Sequence, residues 1–224
     1  MGLCGSNVKI PENFQGPFVF TGDSNGVMRQ HAFKNNKLKL IKKYFQVHKK
    51  ESGGIKVMAS TLNDELLTTL DGNGLIQVYA TSRQLRIFND RFVELKLTTA
   101  ITYSTDNKFA FLGNKFGKIN QWDNVKKSIF NIWHFVTPGR TITSMFCSKI
   151  INPDHQMPEY FNHILNVATN KGEILQFSIP NSTITDQELL HTYEGNHVAD
   201  GKGTVETHSN VGIHGTTDYK TLFS

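Results

Sequence analysis

The sequence is poor in several things whose absence narrows its function. It holds two cysteines among 224 residues, Cys4 and Cys147. They are too few and too far apart for a disulfide framework or for a zinc site with close ligand spacing. No apolar leader follows Met1, which together with the scarce cysteine points to a reducing, cytoplasmic setting. No run approaches the roughly 18 apolar residues that cross a bilayer. There is no Gly-rich phosphate loop ending in Lys-Ser or Lys-Thr, no dinucleotide fingerprint and no G-x-S-x-G elbow. The nine histidines are scattered, and nearness in sequence alone does not assign a metal. The expectation is a protein that is not an enzyme and carries neither metal nor cofactor.

What the chain does have is repetition, and internal repeats decide the fold before anything else. Four segments read FVFTGDSNGVMRQHA, LLTTLDGNGLIQVYA, FAFLGNKFGKINQWD and LNVATNKGEILQFS. Each is a short apolar strand, a turn ending in Gly26, Gly74, Gly117 or Gly172, and a second strand. A large flat side chain stands five positions after each glycine: His31, Tyr79, Trp122 and Phe177. Three positions before each glycine stand Asp23, Asp71, Asn114 and Thr169. This is hairpin chemistry, because glycine supplies a positive φ and the short polar side chain bonds the turn backbone. A preceding strand also recurs, at residues 57–61, 100–105, 144–148 and 212–217. The anchor glycines follow one another at intervals of about 43 to 55 positions, close to the period of a four-stranded propeller unit. The longest interval contains an insertion at residues 150–161 with Pro153 and Pro158. No segment shows helical periodicity of similar quality, so the chain reads as all-β.

At these residues the chain resembles the WD-repeat family. Trp122-Asp123 is the dipeptide that closes that family's unit, and Tyr79-Ala80, Phe177-Ser178 and His31-Ala32 stand in its place elsewhere. The resemblance covers residues 17–224 and implies a β-propeller. It also implies a His–Asp brace in each blade, for which the available pairs are His48 with Asp64 and His208 with Asp218. Three full blades are expected, flanked by partial blades at both ends. A strand at residues 8–10 is the expected amino-terminal edge. Either the terminal pieces close a small ring of four, or the chain is an open arc; a part of a longer propeller fits the abrupt end best.

Residues 1–16 form a separate segment. Met1-Gly2-Leu3-Cys4-Gly5-Ser6 matches the N-myristoylation pattern, with Gly2 as acceptor and Cys4 beside it as a palmitoylation candidate. A single myristoyl chain holds a membrane only marginally, so a second signal is needed. Cys4 or a basic patch could supply it, giving peripheral contact with the cytosolic face of a membrane.

That patch accounts for much of the formal net charge of +5. Lys34, Lys37, Lys39, Lys42 and Lys43 lead a run to residue 50 that contains seven lysines and no acid. It reads as a solvated loop with a lysine-protected strand edge, or as a surface for acidic lipid or nucleic acid. Nucleic acid is the weaker alternative, since Tyr44 and Phe45 fit a strand better than a stacking platform. The leading function is an interaction scaffold for other proteins, with the basic loop at residues 34–43 and the insertion at residues 153–160 as its surfaces; a propeller enzyme with an unrecognised site is the remaining alternative.

Overall fold

A computed structural model of the chain describes residues 3–6, 18–44, 46–81, 85–133, 139–151, 161–180, 188–194, 214–215 and 222–223. Four antiparallel sheets carry the four repeats. The chain divides into two compact units, Met1–Tyr103 and Ser104–Ser224.

In the first unit, sheet 1 is a meander of β1 (Leu3–Ser6), β2 (Phe18–Gly22), β3 (Met28–Lys34) and β4 (Lys37–Tyr44). The amino-terminal repeat, expected to be partial, therefore has four strands, because Leu3–Ser6 pairs with β2. Residues 8–10, where a strand was expected, lie outside the described residues. Sheet 2 runs β5 (Val57–Ser60), β6 (Leu66–Leu70), β7 (Leu75–Ala80) and β8 (Leu85–Arg91), and β9 (Thr98–Tyr103) follows it. Two 3-10 turns, Lys50–Ser52 and Val93–Leu95, lead into β5 and β9. In the second unit, β10 (Phe109–Asn114), β11 (Ile119–Asp123) and β12 (Ser128–Trp133) form one meander. Sheet 4 runs β13 (Ile142–Ile151), β14 (Phe161–Thr169), β15 (Glu173–Pro180) and β16 (Glu188–Glu194). β17 (His214–Gly215) and β18 (Leu222–Phe223) form a short antiparallel pair.

The four hairpin turns are copies of one another. Gly26, Gly74, Gly117 and Gly172 all sit in the left-handed region, at φ between 76° and 80°. Asp23 Oδ1 accepts the backbone N–H groups of Asn25 and Val27, each at 3.0 Å. Asp71 Oδ1 accepts those of Asn73 and Leu75 at 2.8 and 2.9 Å. Asn114 Oδ1 accepts those of Phe116 and Lys118 at 2.9 and 3.0 Å. Thr169, with a shorter side chain, accepts from Lys171 alone of these positions, at 3.2 Å. A carboxylate or amide at this place satisfies two donors that the tight turn would otherwise strand.

A second repeated device was not visible in the sequence. In every repeat the pairing of the last two strands slips at the same point, between Gln30 and His31, Val78 and Tyr79, Gln121 and Trp122, and Gln176 and Phe177. The extra residues on the outer strands are Ile41, Ile87, Phe130 and Leu190. A bulge of this kind twists an edge and interrupts its row of free backbone groups.

The core of the first unit joins sheet 1 to sheet 2. Phe18, Phe20, Met28 and Ala32 pack with Met58, Leu67 and Tyr79, and with Val47 and Ile55 of the connecting segment. In β7, every residue from Ile76 to Tyr79 is buried, which is the pattern of a strand covered on both faces.

Candidate interaction surface

Among the described residues, one face of sheet 1 is buried and the other only half-buried. Along β2 and β3 buried and half-buried residues alternate, as a period of two dictates for a sheet packed on one side. Phe18, Phe20, Met28, Gln30 and Ala32 are buried; Val19, Thr21, Arg29 and His31 between them are half-buried. The strand register places Val19 opposite His31 and His31 opposite Leu40, with Phe33 opposite Leu38. Residues directly opposite share a face. Phe33, Leu38 and Leu40 are 39%, 48% and 53% exposed. This more open face of sheet 1 thus carries an apolar patch at its outer edge, formed by Phe33, Leu38 and Leu40.

Lysines surround the patch. The region expected as a basic loop is a β-strand, β4, the last of its sheet. The strand forms because a tight turn at Asn35-Asn36, with φ of 51° and 57°, folds Lys37–Tyr44 back along β3 in the geometry that two-residue hairpins prefer. Lys37, Lys39 and Lys43 are exposed, and Lys42 lies half-buried with Nζ 4.7 Å above the Tyr44 ring. Lys34, the fifth residue of the patch, ends β3 opposite Lys37. Tyr44 itself turns inward: its hydroxyl donates to Gln30 Oε1 at 3.0 Å, and burial pushes its pKa to about 12. It is not presented for stacking on a base.

The other sequence-derived positions fall elsewhere. Tyr79, Trp122, Asp123 and Phe177 are buried structural residues. The Tyr79 hydroxyl donates to Gln77 Oε1 at 2.6 Å, and Asp123 Oδ1 accepts the N–H groups of Val125 and Lys126 at 2.8 Å each. Cys4 is in β1 opposite Phe20, while Gly2 and the insertion at residues 153–160 lie outside the described residues.

The expected brace of His48 with Asp64 is corrected. His48 is buried against Thr69 and Asp71: Nε2 is 2.9 Å from Thr69 Oγ1, and Nδ1 is 3.7 Å from Asp71 Oδ2. The partner is the aspartate three positions before the anchor Gly74, because the segment after β4 crosses the β6–β7 turn. Asp64 sits at the other end of β6, in the turn that precedes it. The pair His208 and Asp218 lies outside the described residues.

Sequence reading missed a buried cluster in the second unit. His163 Nε2 on β14 lies 4.0 Å from Asp106 Oδ1, whose other oxygen is 3.8 Å from Lys108 Nζ. Burial lowers the His163 pKa, and the Asp106 charge opposes that shift. Cys147 is buried nearby, and burial pushes its thiol pKa far up, so it has the character of an inert core residue. No motif spacing announces this cluster, whose members come from a turn and two strands.

No protein-family model matches the sequence, and no curated protein matches it. Solved structures do. The β-propeller domain of Cps50 (Swd1) from Myceliophteria thermophila aligns with a TM-score of 0.59 and 12% identity, over 87% of this chain and 57% of that one. The WD40 domain of Neurospora crassa Pan2 aligns with a TM-score of 0.56 and 14% identity, over 85% of this chain and 50% of that one. A chain of the mitotic checkpoint complex gives a TM-score of 0.61 and 13% identity, over 98% of this chain and 56% of that one. The chain spans about half the length of these structures. It has the fold of a WD40 β-propeller, at a sequence distance where the likeness carries fold alone.

Proposed function

We propose that this chain is a protein-interaction scaffold that binds a protein partner through the more open face of sheet 1. One observation carries the reading: Phe33, Leu38 and Leu40 stand exposed together on the face of sheet 1 whose β2 and β3 positions are only half-buried, opposite the buried Phe18, Phe20, Met28 and Ala32. Apolar side chains gathered on a surface and rimmed by charge mark interaction sites. The fold supports the reading, since propellers of this kind supply a rigid frame for surfaces of varied specificity. The test is cross-linking mass spectrometry on the native protein in cell extract, comparing wild type with Leu38→Asp/Leu40→Asp. Partners cross-linked at Lys37 or Lys39 should disappear in the variant. An unchanged set of partners contradicts the proposal.

A second reading, peripheral membrane contact, draws support from the register of the same sheet. Leu3 pairs with Thr21, Thr21 with Arg29, and Arg29 with Lys43. The acylation candidate Gly2 therefore precedes a row that ends on a lysine about 14 Å away at ordinary strand spacing. An acyl chain at Gly2 and the lysines of β4 would act as two weak signals. Metabolic labelling with an alkyne myristate tests this: incorporation should depend on Gly2, and its absence removes the reading.

A further inference from the structure

We infer that the partner of this surface is an acidic, extended segment of another protein, which adds to sheet 1 as an additional strand along β4. The inference rests on the reading of sheet 1 as a protein-binding surface and names the chemistry that binds there. Among the described residues, β4 is the last strand of its sheet, so the backbone groups on its outer side take no part in the sheet's own ladder. Lys37, Leu38, Lys39 and Leu40 pair in unbroken register with Lys34, Phe33, Ala32 and His31. A regular strand sends alternate side chains to opposite faces, so Lys37 and Lys39 share one face and Leu38 and Leu40 the other. All four are exposed. A ligand lying flat on either face would meet only one of these rows. A strand beside β4 meets both, and its backbone meets the outer edge.

The side chains specify what that strand carries. The last strands of the four meanders differ in charge: β8 holds Arg86, Asp90 and Arg91, β12 holds no charged residue, and β16 holds Glu188 and Glu194. β4 alone among them holds lysine, at Lys37, Lys39, Lys42 and Lys43, and it holds no acid. Lysine on an edge repels a second edge like itself and, by the same charge, selects an acidic one. Opposite charges directly across two strands attract, and like charges repel. The segment that fits therefore alternates acidic with apolar residues. Its carboxylates stand level with Lys37 and Lys39, and its apolar side chains level with Leu38 and Leu40. The strand also sets its length: the Asn35-Asn36 turn closes one end, and the bulge at Ile41 breaks the ladder at the other.

The experiment titrates the full chain into a fluorescent peptide alternating glutamate with valine and reads anisotropy at low and high salt. Binding is expected, weaker at high salt. A peptide of the same composition, with its glutamates and valines in two blocks, should bind at least about tenfold more weakly. N-methylation removes backbone donors from one edge of a strand at a time. Of two alternating peptides, methylated at the glutamate or at the valine nitrogens, one should lose binding and the other keep it. Lys37→Glu/Lys39→Glu should weaken the glutamate peptide at least about tenfold with an unchanged melt, and should bind a peptide alternating lysine with valine instead.

A chain that does not bind the alternating peptide overturns the inference. So does equal binding of the block peptide or of both methylated peptides, since charge alone would then account for it. A Lys37→Glu/Lys39→Glu variant that holds the glutamate peptide as well as wild type overturns it too. Vesicles of phosphatidylcholine and phosphatidylserine that bind the chain where the peptide does not would assign the lysines to a lipid surface. Where the peptide fails but native partners still cross-link at Lys37 or Lys39, and are lost in Leu38→Asp/Leu40→Asp, the scaffold reading stands without the added strand. Where those cross-links are absent as well, both fall.

Discussion

The backbone oxygen of His48 passes so close to Gly26 that a Cβ placed on that glycine would stand 1.6 Å from it. The approach is held by a hydrogen bond, since the Gly26 carbonyl accepts the Val47 N–H at 2.9 Å. Gly74 repeats the relationship with Phe92, whose N–H donates to the Gly74 carbonyl at 3.0 Å and whose oxygen would lie 2.1 Å from an added Cβ. The turn glycine thus serves two ends: it allows the positive φ, and it makes room for the chain that leaves the repeat.

Replacing Gly26 or Gly74 with alanine should therefore cost more than φ strain alone. The expected loss is above about 2 kcal/mol of unfolding free energy by urea titration. Gly139, at φ 88° with nothing within 4 Å of an added Cβ, is the control. Gly139→Ala should cost only about 1 kcal/mol.

The repeated turn acceptor gives a sharper expectation. Asn114→Asp should be tolerated within about 0.5 kcal/mol, because Asp23 and Asp71 do the same work in the same geometry. Asn114→Ala strands the donors of Phe116 and Lys118 and should cost about 1 to 3 kcal/mol. Equal melting temperatures for the two variants would contradict the assignment.

Much of this was legible in the sequence, because turn chemistry is local. The anchor glycines and the polar residues three positions before them fix the hairpins without help from the rest of the chain. What was illegible is non-local. Leu3–Ser6 reads as an acylation pattern and has no strand alternation, so its pairing with β2 was missed. The alternation in β11 looked loose because Ile119, Asn120, Gln121, Trp122 and Asp123 are all buried, which removes the polar face that a period of two would show. His48 lies nearer in sequence to Asp64 than to Asp71, and only the crossing of the chain over the turn selects the latter. The one-sided burial of sheet 1 depends on what packs against it, which no strand encodes in itself.

Acid should destabilise the fold before the carboxylates titrate. Burial lowers the pKa of His48 and of His163 below the usual 6.5, with Asp71 and Asp106 respectively opposing the shift and Lys108 and Lys149 adding to it at His163. An unfolded histidine then binds a proton that the folded one refuses. Their neutral forms contribute full stability above pH 6.5, and that contribution is lost as pH falls through 6.5 toward the lowered values. The melting temperature should drop between pH 7.5 and 5.5, and His48→Gln should flatten that dependence.

Core and surface should respond oppositely to substitution. Leu67→Ala opens a cavity beneath Tyr79 and Met58 and should cost about 2 to 5 kcal/mol, whereas Leu38→Asp/Leu40→Asp on the exposed face should leave stability within about 1 kcal/mol. Cys147 should resist alkylation until the chain unfolds, read peptide by peptide in a mass spectrometer.

Hydroxyl-radical footprinting tests the central claim most directly, because it reads side-chain access residue by residue. In dilute chain, Phe33, Leu38 and Leu40 should label readily while Phe18, Phe20 and Met28 stay dark. Labelling of the first three should fall as the partner binds. Labelling of Phe18 and Phe20 as strong as that of Phe33, or a patch that labels equally in free and bound protein, would contradict it.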